Sequence, residues 1–243
     1  MSEPNEPLKK PIAARTFKKG DINEKFYRAA GGESRQVFYD IDKTYPSLRV
    51  LDENYAVIRQ ELERVLGKPI PRYHEIARTE KYISGTVDPD KAWKVFMLRS
   101  MLGKPEANQA RCPQTTALLK KIPGIYQAFF SILDPGKSIP AHAGDYLGYL
   151  RYHLGLRVPE NNPPSMRVRD QYHTWEEGKS ILFDDSWEHE VYNKSDGLRA
   201  VLIVDFFRPL PFSLHAVNWL ITHLWMRGSE EGKLVMAQIK KYS

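Results

Sequence analysis

The sequence contains one cysteine, no long apolar run and no internal repeat, and each absence excludes a class of protein. Cys112 by itself cannot form an intrachain disulfide framework or a cysteine-rich zinc site, which fits a reducing compartment. Since no run of about eighteen or more uninterrupted apolar residues occurs, no membrane-spanning helix is expected. The beginning of the chain also lacks the apolar segment of a signal peptide. These absences predict a cytoplasmic location.

The composition is that of a globular protein. Of the 243 residues, 42% are apolar and 12% aromatic, which is enough for a well-packed core in one large domain. The net charge of +6 favours anionic surfaces or substrates, but no DNA- or RNA-binding motif accompanies it. Nucleic acid is therefore not predicted as a partner. Prolines and basic residues near the beginning predict a flexible tail over residues 1–30.

The rest of the chain is predicted to form one domain of three parts. Residues 31–122 are expected to be largely helical, residues 123–210 to form a β-barrel core and residues 211–228 to form an amphipathic helix. The barrel is indicated by short runs of β-branched and aromatic residues bounded by turn formers: GIYQAFFSILD, YLRYHLGLRV, SILFDD and RAVLIVDFF. Because no helices separate these runs, the predicted fold class is mainly β with flanking helices, an antiparallel barrel or sandwich.

The C-terminal helix carries one apolar stripe, formed by Leu214, Val217, Ile221 and Leu224. In one interpretation this helix packs against the outer wall of the barrel. In the other, it lies in a membrane interface, with Trp219 and Trp225 at the headgroup level. The second interpretation would make the protein peripheral to the inner face of the membrane.

Two predicted strands direct cations to one face of the sheet. Successive strand residues point to opposite faces, so Arg151, His153 and Gly155 share a face, and Arg199 shares one with its apolar neighbours. A buried arginine needs an anion, and a bound carboxylate fits a guanidinium fork in two-point geometry. The alternative is pairing of these arginines with protein carboxylates, for which the candidates are Asp134, Asp184 and Asp185.

Two histidines stand near the ends of the predicted strands. His142 precedes the strand that carries Arg151, and His189 follows the strand SILFDD, where the chain returns across the mouth of the barrel. Two imidazoles at one end of a barrel suit Fe(II), with open positions for an oxo acid and O2. His142 and His189 are therefore the candidate catalytic and metal-binding residues.

Three long segments resemble the aspartyl/asparaginyl β-hydroxylase family: SILDPGKSIPAHAGDYLGYLRYHLGLRVP, HTWEEGKSILFDDSWEHEVYN and LRAVLIVDFFRP. The resemblance implies a double-stranded β-helix (jelly-roll) fold with Fe(II) as metal and 2-oxoglutarate as co-substrate. By the same resemblance, His142 and His189 hold the iron. Arg199 and Ser131 would bind the distal carboxylate of 2-oxoglutarate. The end of the co-substrate near the iron would be contacted by the following pair: Arg151 and His153.

The third metal position departs from the usual pattern of two histidines and a carboxylate. The sequence reads His142-Ala143-Gly144, with Asp145 one residue late. The resemblance implies iron held by two histidines and completed by water, as in the peptidyl-aspartate branch, and a halide at this position is an alternative. Asp185 is a second candidate ligand, for which a structural role is favoured.

The substrate is predicted less narrowly than the chemistry. The first hypothesis is hydroxylation of a peptidyl Asp or Asn side chain, which Gly144 favours. The alternative is 2-hydroxylation of a lipid acyl chain, favoured by the segments CPQTTALLKKIP and AVNWLITHLWMRG. A third hypothesis, from another class, is a non-catalytic, cupin-like module that binds a small anion.

Overall fold

The computed structural model describes residues 21–76, 90–225 and 230–242. The strands of the described residues are Phe38–Tyr39 (β1), Trp93–Ser100 (β2), Ile125–Leu133 (β3), Ile139–His142 (β4), Tyr149–Arg157 (β5), Ser165–Val168 (β6), Gln171–Thr174 (β7), Ser180–Phe183 (β8), His189–Tyr192 (β9) and Arg199–Phe207 (β10). The helices are Ile22–Ala29 (α1), Ile41–Thr44 (α2), Arg49–Glu53 (α3), Tyr55–Leu66 (α4), Tyr73–Ile76 (α5), Glu106–Arg111 (α6), Pro113–Lys120 (α7), Phe212–Leu220 (α8) and Glu230–Tyr242 (α9). Two 3₁₀ turns and a π-helical turn complete the regular structure: Gly32–Ser34, Pro46–Leu48 and Ile221–Trp225.

The strands form two antiparallel sheets that face each other. The larger has the order β1-β8-β5-β10-β3-β2 and the smaller the order β4-β9-β6-β7. From β3 to β10 the chain passes repeatedly from one sheet to the other, so strands distant in sequence become neighbours. This arrangement of eight strands is a jelly roll, a double-stranded β-helix. The predicted fold class, mainly β with flanking helices, is confirmed.

The larger sheet separates two apolar clusters because its side chains alternate between two faces. Leu150, Tyr152 and Leu154 of β5 pack under α3, α4 and α7, on the outer face. Val201 and Ile203 of β10 lie in the second cluster, between the two sheets. The site residues of β5 share this inner face, since Arg151 pairs in register with Asp205, and His153 with Ile203, across β5 and β10.

Two predicted boundaries need correction near the beginning of the domain. Ile22–Ala29, placed in the flexible tail, is helical because Asp21 caps its first turn by accepting from Asn23 N and Phe26 is fully buried. Residues 1–20 lie outside the described residues. The part predicted as helical, residues 31–122, also supplies β1 and β2, which extend the larger sheet at both edges.

The C-terminal helix also differs from the prediction. The π-helical turn Ile221–Trp225 follows α8, and the two fully buried residues of this stretch are polar, Asn218 and Thr222. Of the predicted apolar stripe, Leu214, Val217 and Ile221 are half-buried and Leu224 is 65% exposed, so the packed face is displaced from the stripe. α9 was not predicted; its Ile239 is buried in the inner cluster. Within the described ranges, no helix has the length and apolar character needed to cross a membrane.

Candidate active site

The two candidate metal-binding histidines lie side by side across the smaller sheet. His142, at the end of β4, pairs in register with His189, at the start of β9, and their ring centroids are 4.2 Å apart. Each Nδ1 lies 2.9 Å from a backbone carbonyl oxygen, that of Pro140 for one ring and that of Trp187 for the other. A carbonyl only accepts, so both Nδ1 atoms carry the proton and both Nε2 atoms keep a lone pair.

The surroundings keep these imidazoles uncharged. Burial lowers the pKa of His189 well below its usual value, and the neighbouring His142 and Arg151 lower it further. Burial also lowers the pKa of His142. Since a metal ion binds the neutral imidazole, the pair is held in the protonation state that a divalent cation requires.

The carboxylate of Asp185 occupies the space beside Gly144 where a ligand side chain would otherwise stand. A Cβ built on Gly144 would lie 2.8 Å from Asp185 Oδ2, and Gly144 N donates to the Asp185 carbonyl at 2.8 Å. Tyr149 donates its hydroxyl proton to Asp185 at 3.0 Å. Burial raises the pKa of Asp185 to about 7, and Arg151 opposes this rise. Gly144 is therefore the residue that allows the Asp185 carboxyl to reach this position.

Arg151 is neutralised by two carboxylates of the protein. Its Nε and Nη2 donate to Asp205 at 2.7 and 2.8 Å, and its Nη1 lies 3.1 Å from Asp185. Sequence reasoning named Asp185 as a candidate partner but missed Asp205. The signal was present, because Asp205 shares the face of β10 that carries Arg199.

Arg199 is a buried cation for which the described residues provide no carboxylate. Its side chain is 1% exposed, its Nε has no hydrogen-bond partner and its Nη1 lies 3.5 Å from Ser131 Oγ. Burial lowers its pKa to about 9. The candidate acids bind elsewhere: Asp134 pairs with Lys94, and Asp184 pairs with two other arginines, Arg35 and Arg208.

Trp175, which sequence reasoning missed, forms a wall of the Arg199 pocket. The guanidinium lies 4.0 Å from the centre of the Trp175 ring, and the indole Nε1 has no hydrogen-bond partner in the described part of the chain. Gly155 permits this packing, because a Cβ there would collide with the Glu176 carbonyl. No local pattern marks Trp175; only the close approach of its loop to β5 brings it to the site.

His153 lies between the histidine pair and Arg199. Its ring contacts Phe183 at 4.9 Å and Trp175 at 5.9 Å between centroids, and Phe183 in turn contacts His189 at 6.0 Å. Among the residues that the structure describes, neither ring nitrogen has a hydrogen-bond partner. Burial, followed by the charges of Arg199 and Arg151, holds the pKa of His153 well below its usual value. Unpaired polar atoms therefore extend from the histidine pair toward the Arg199 pocket.

A cavity of about 220 Å³ opens beside the histidine pair. One side is polar and includes His142, Arg151 and Asp185. The other side is apolar or aromatic and is formed by Tyr73, Ile76, Trp93, Val95, Met97, Phe129 and Val235. Five of these come from residues 70–110, where no local sequence pattern singles out a site residue. Tyr82, another aromatic residue of that stretch that could line a substrate pocket, lies outside the described residues.

Comparison with known proteins identifies the family of the chain. The profile described as aspartyl/asparaginyl beta-hydroxylase matches residues 52–209, which include all six predicted site residues. The chain belongs to this β-hydroxylase family. The predicted resemblance is thereby confirmed.

Three relatives show how far the likeness of this family member extends. An ornithine lipid ester-linked acyl 2-hydroxylase of Rhizobium tropici is 44% identical over 184 residues, covering 74% of this chain and 64% of that protein. The mouse aspartyl/asparaginyl beta-hydroxylase is 37% identical over 171 residues, covering 67% of this chain and 22% of that protein. A Pseudomonas putida prolyl-4-hydroxylase structure is 15% identical with a TM-score of 0.42, covering 67% of this chain and 99% of that one. The chain thus spans less than two thirds of both curated relatives.

The stability of this β-hydroxylase family member is expected to fall as the pH drops below about 6.5. His142, His153 and His189 stay neutral when folded but take up protons when unfolded, so the unfolded state gains three protons. Asp185 has the opposite effect on stability: because its pKa in the folded protein is about 7, the folded state takes up this proton in a pH range where the unfolded state does not. The three histidines outweigh Asp185, so the free energy of unfolding should fall with a clear slope as the pH drops from about 6.5 to about 5. Urea unfolding of metal-free protein at several pH values measures this slope, and a flat profile would contradict the neutral imidazoles.

Proposed function

We propose that the protein is an Fe(II)- and 2-oxoglutarate-dependent hydroxylase that acts on the acyl chain of a lipid. The observation that carries the chemistry is the pairing of two neutral histidines with an unpaired, buried arginine on the inner face of one jelly roll. Neither group is explained by packing, since the arginine is costly without an anion. Together they match a metal bound at one end of an oxo-dicarboxylate.

The residues present fit an Fe(II) ion. His142 and His189 each offer an Nε2 lone pair toward the other, with their rings fixed by the carbonyls of Pro140 and Trp187. The described residues contain no cluster of three or more His, Cys, Asp or Glu side chains suited to a metal. Two protein ligands leave positions open for water and co-substrate, and the Asp185 carboxyl is placed to accept a hydrogen bond from such a water.

The residues also fit 2-oxoglutarate. The Arg199 guanidinium and the Ser131 hydroxyl would bind the carboxylate far from the metal, and Trp93 fixes Ser131 by donating to its Oγ at 3.0 Å. The ring face of Trp175 packs against the guanidinium and helps to orient it. His153, with both ring nitrogens unpaired, would donate to the carboxylate near the metal.

The protein's own residues bind, orient and shield the reactants in this proposal. Fe(II) with 2-oxoglutarate and O2 supplies the oxidising power for an unactivated C–H bond. The buried aromatic side chains around His153 exclude water from the co-substrate. Arg151, whose charge is balanced by Asp205 and Asp185, holds the polar side of the cavity in place.

The cavity favours an acyl chain over an acidic peptide. An Asp side chain would need an unbalanced cation, but Arg151, the cation lining the described cavity, is already paired with two carboxylates. The opposite wall offers apolar contacts at Val95, Met97 and Phe129. The Rhizobium relative, whose name records acyl 2-hydroxylation of an ornithine lipid, supports the same substrate class.

Met97→Lys tests the substrate class because it places a cation in the apolar wall. Met97 is buried and lines the cavity, and a lysine there would extend its ammonium group into the space proposed for the acyl chain. We expect succinate release with an acyl-ornithine lipid in micelles to fall at least about tenfold, since burying or bypassing a charge costs more than about 1.4 kcal/mol. Met97→Leu, which preserves volume and polarity, should stay within about twofold of wild type.

The same assay compares the two other hypotheses. An aspartate-containing peptide should give little succinate with wild-type protein. If the protein acted on a peptide instead, the cation of Met97→Lys would be expected to raise peptide turnover. Peptide turnover that exceeds lipid turnover would contradict the acyl proposal and favour the peptidyl hypothesis. Absence of any Fe(II)-dependent turnover in folded protein that still binds 2-oxoglutarate would favour the anion-binding module.

A further inference from the structure

The outer face of α8 is largely apolar, whereas its fully buried side chains, Asn218 and Thr222 on the following turn, are polar. Phe212 is 89% exposed, Trp219 46% and Leu220 47%, and Leu224 on the following π-helical turn is also exposed. These side chains and Ala216 recur at helical intervals and lie on one side. We call this set (Phe212, Ala216, Trp219, Leu220 and Leu224) the α8 outer face. A helix exposed only to water would carry the reverse pattern.

Hydrogen bonds fix this orientation. Asn218 donates to the Gly148 carbonyl at 2.6 Å and accepts from the Tyr146 hydroxyl at 2.5 Å. Rotating the helix to bury its apolar side would break both bonds of Asn218, at about 1–3 kcal/mol for each buried polar group left unpaired. The hydrogen bonds of Asn218 therefore keep the α8 outer face exposed.

The inner side of α8 contacts a segment that lines the cavity. The segment that Asn218 binds, around Tyr146 and Gly148, connects two lining residues, Asp145 and Tyr149. The helix that carries the α8 outer face is therefore anchored to one wall of the cavity.

We propose that the α8 outer face docks the protein onto an anionic phospholipid bilayer, with α8 in the plane of the interface. Exposed aromatic and leucine side chains on one face suit the boundary between headgroups and acyl chains. The chain has 36 basic and 30 acidic residues, and Lys240 and Lys241 are exposed in the last turn of α9. This charge attracts anionic lipid, whereas it repels a second copy of the same chain. The docking gives the proposed acyl hydroxylase access to its substrate.

Co-sedimentation with vesicles tests the docking. Purified full-length protein, without added metal or co-substrate, is mixed with vesicles of phosphatidylglycerol and phosphatidylcholine in equal amounts. We expect wild type to bind and the double variant Phe212→Gln, Trp219→Gln to bind at least about tenfold more weakly, since each aromatic side chain contributes more than about 1 kcal/mol when buried. Tyr172→Gln, which removes an exposed aromatic ring from β7, is the matched control and should bind like wild type.

The remaining outcomes overturn the proposal. Equal binding by wild type and double variant would mean that charge alone causes the membrane affinity. If wild type does not bind the vesicles, the docking proposal is wrong. Concentration-dependent dimers in analytical ultracentrifugation that the double variant abolishes would assign the α8 outer face to a second copy. Because no step requires turnover, loss of acyl hydroxylation with vesicle binding intact would contradict only the proposed function.

Discussion

His189→Ala is expected to abolish Fe(II) binding while leaving the jelly roll folded. His189 is one of two imidazoles that face each other across β4 and β9, so its removal leaves a single protein ligand. Iron affinity should fall by more than about a hundredfold, beyond the loss typical of changes around a metal ligand. Anaerobic titration with Fe(II) and 2-oxoglutarate, followed through the visible charge-transfer band, measures the effect. A band of unchanged strength would contradict the metal site.

A second readout of the same variant requires no metal. Wild-type stability should fall at low pH partly because His189 stays neutral when folded. Removing this imidazole should make the slope of unfolding free energy against pH shallower between about pH 6.5 and 5. The control is His74→Ala, because His74 is exposed on α5. An unchanged slope in His189→Ala would show that this imidazole is not held neutral in the folded protein.

Arg199→Met is expected to change co-substrate binding and stability in opposite directions. The loss of a buried guanidinium that binds a carboxylate should weaken 2-oxoglutarate binding by about 2–5 kcal/mol, at least about thirtyfold. The free energy of unfolding of the metal-free variant, by contrast, should be about 1–3 kcal/mol higher than that of wild type. The reason is that the variant no longer buries a cation without a counter-charge. Calorimetric titration with 2-oxoglutarate and urea unfolding measure the two effects.

The matched control for Arg199→Met is Arg157→Met. Arg157 is exposed at the end of β5 and pairs weakly with Glu63, so both binding and stability should change by less than about 0.5 kcal/mol. Arg199→Lys keeps the charge without the fork and should bind 2-oxoglutarate with intermediate affinity. A loss of stability in Arg199→Met would mean that the guanidinium has a counter-charge in the folded protein, and the carboxylate assignment would lose its basis.

Local pattern in the sequence was sufficient for four barrel strands, β3, β5, β8 and β10, and for the direction of their side chains, but not for the short strands of the smaller sheet. Period-two alternation placed Arg151 and His153 on one face, and the register between β5 and β10 confirms it. The same rule would have found Asp205, which lies on the shared face of β10. The helix prediction after residue 211 found a half-buried apolar stripe but missed the full burial of Asn218, because apolar periodicity does not register the hydrogen bond that holds this side chain inward.

The sequence by itself determined the fold class, the family and the residues with the right chemistry. The tertiary structure alone decided which of them meet: His142 with His189, the Asp185 carboxyl with the space at Gly144, and Trp175 with Arg199. It also decided that Arg151 has a carboxylate partner, whereas Arg199 has none among the described residues. The reason is physical: the direction of a side chain follows from its own backbone, but its partner and its burial depend on strands that are far apart in the chain.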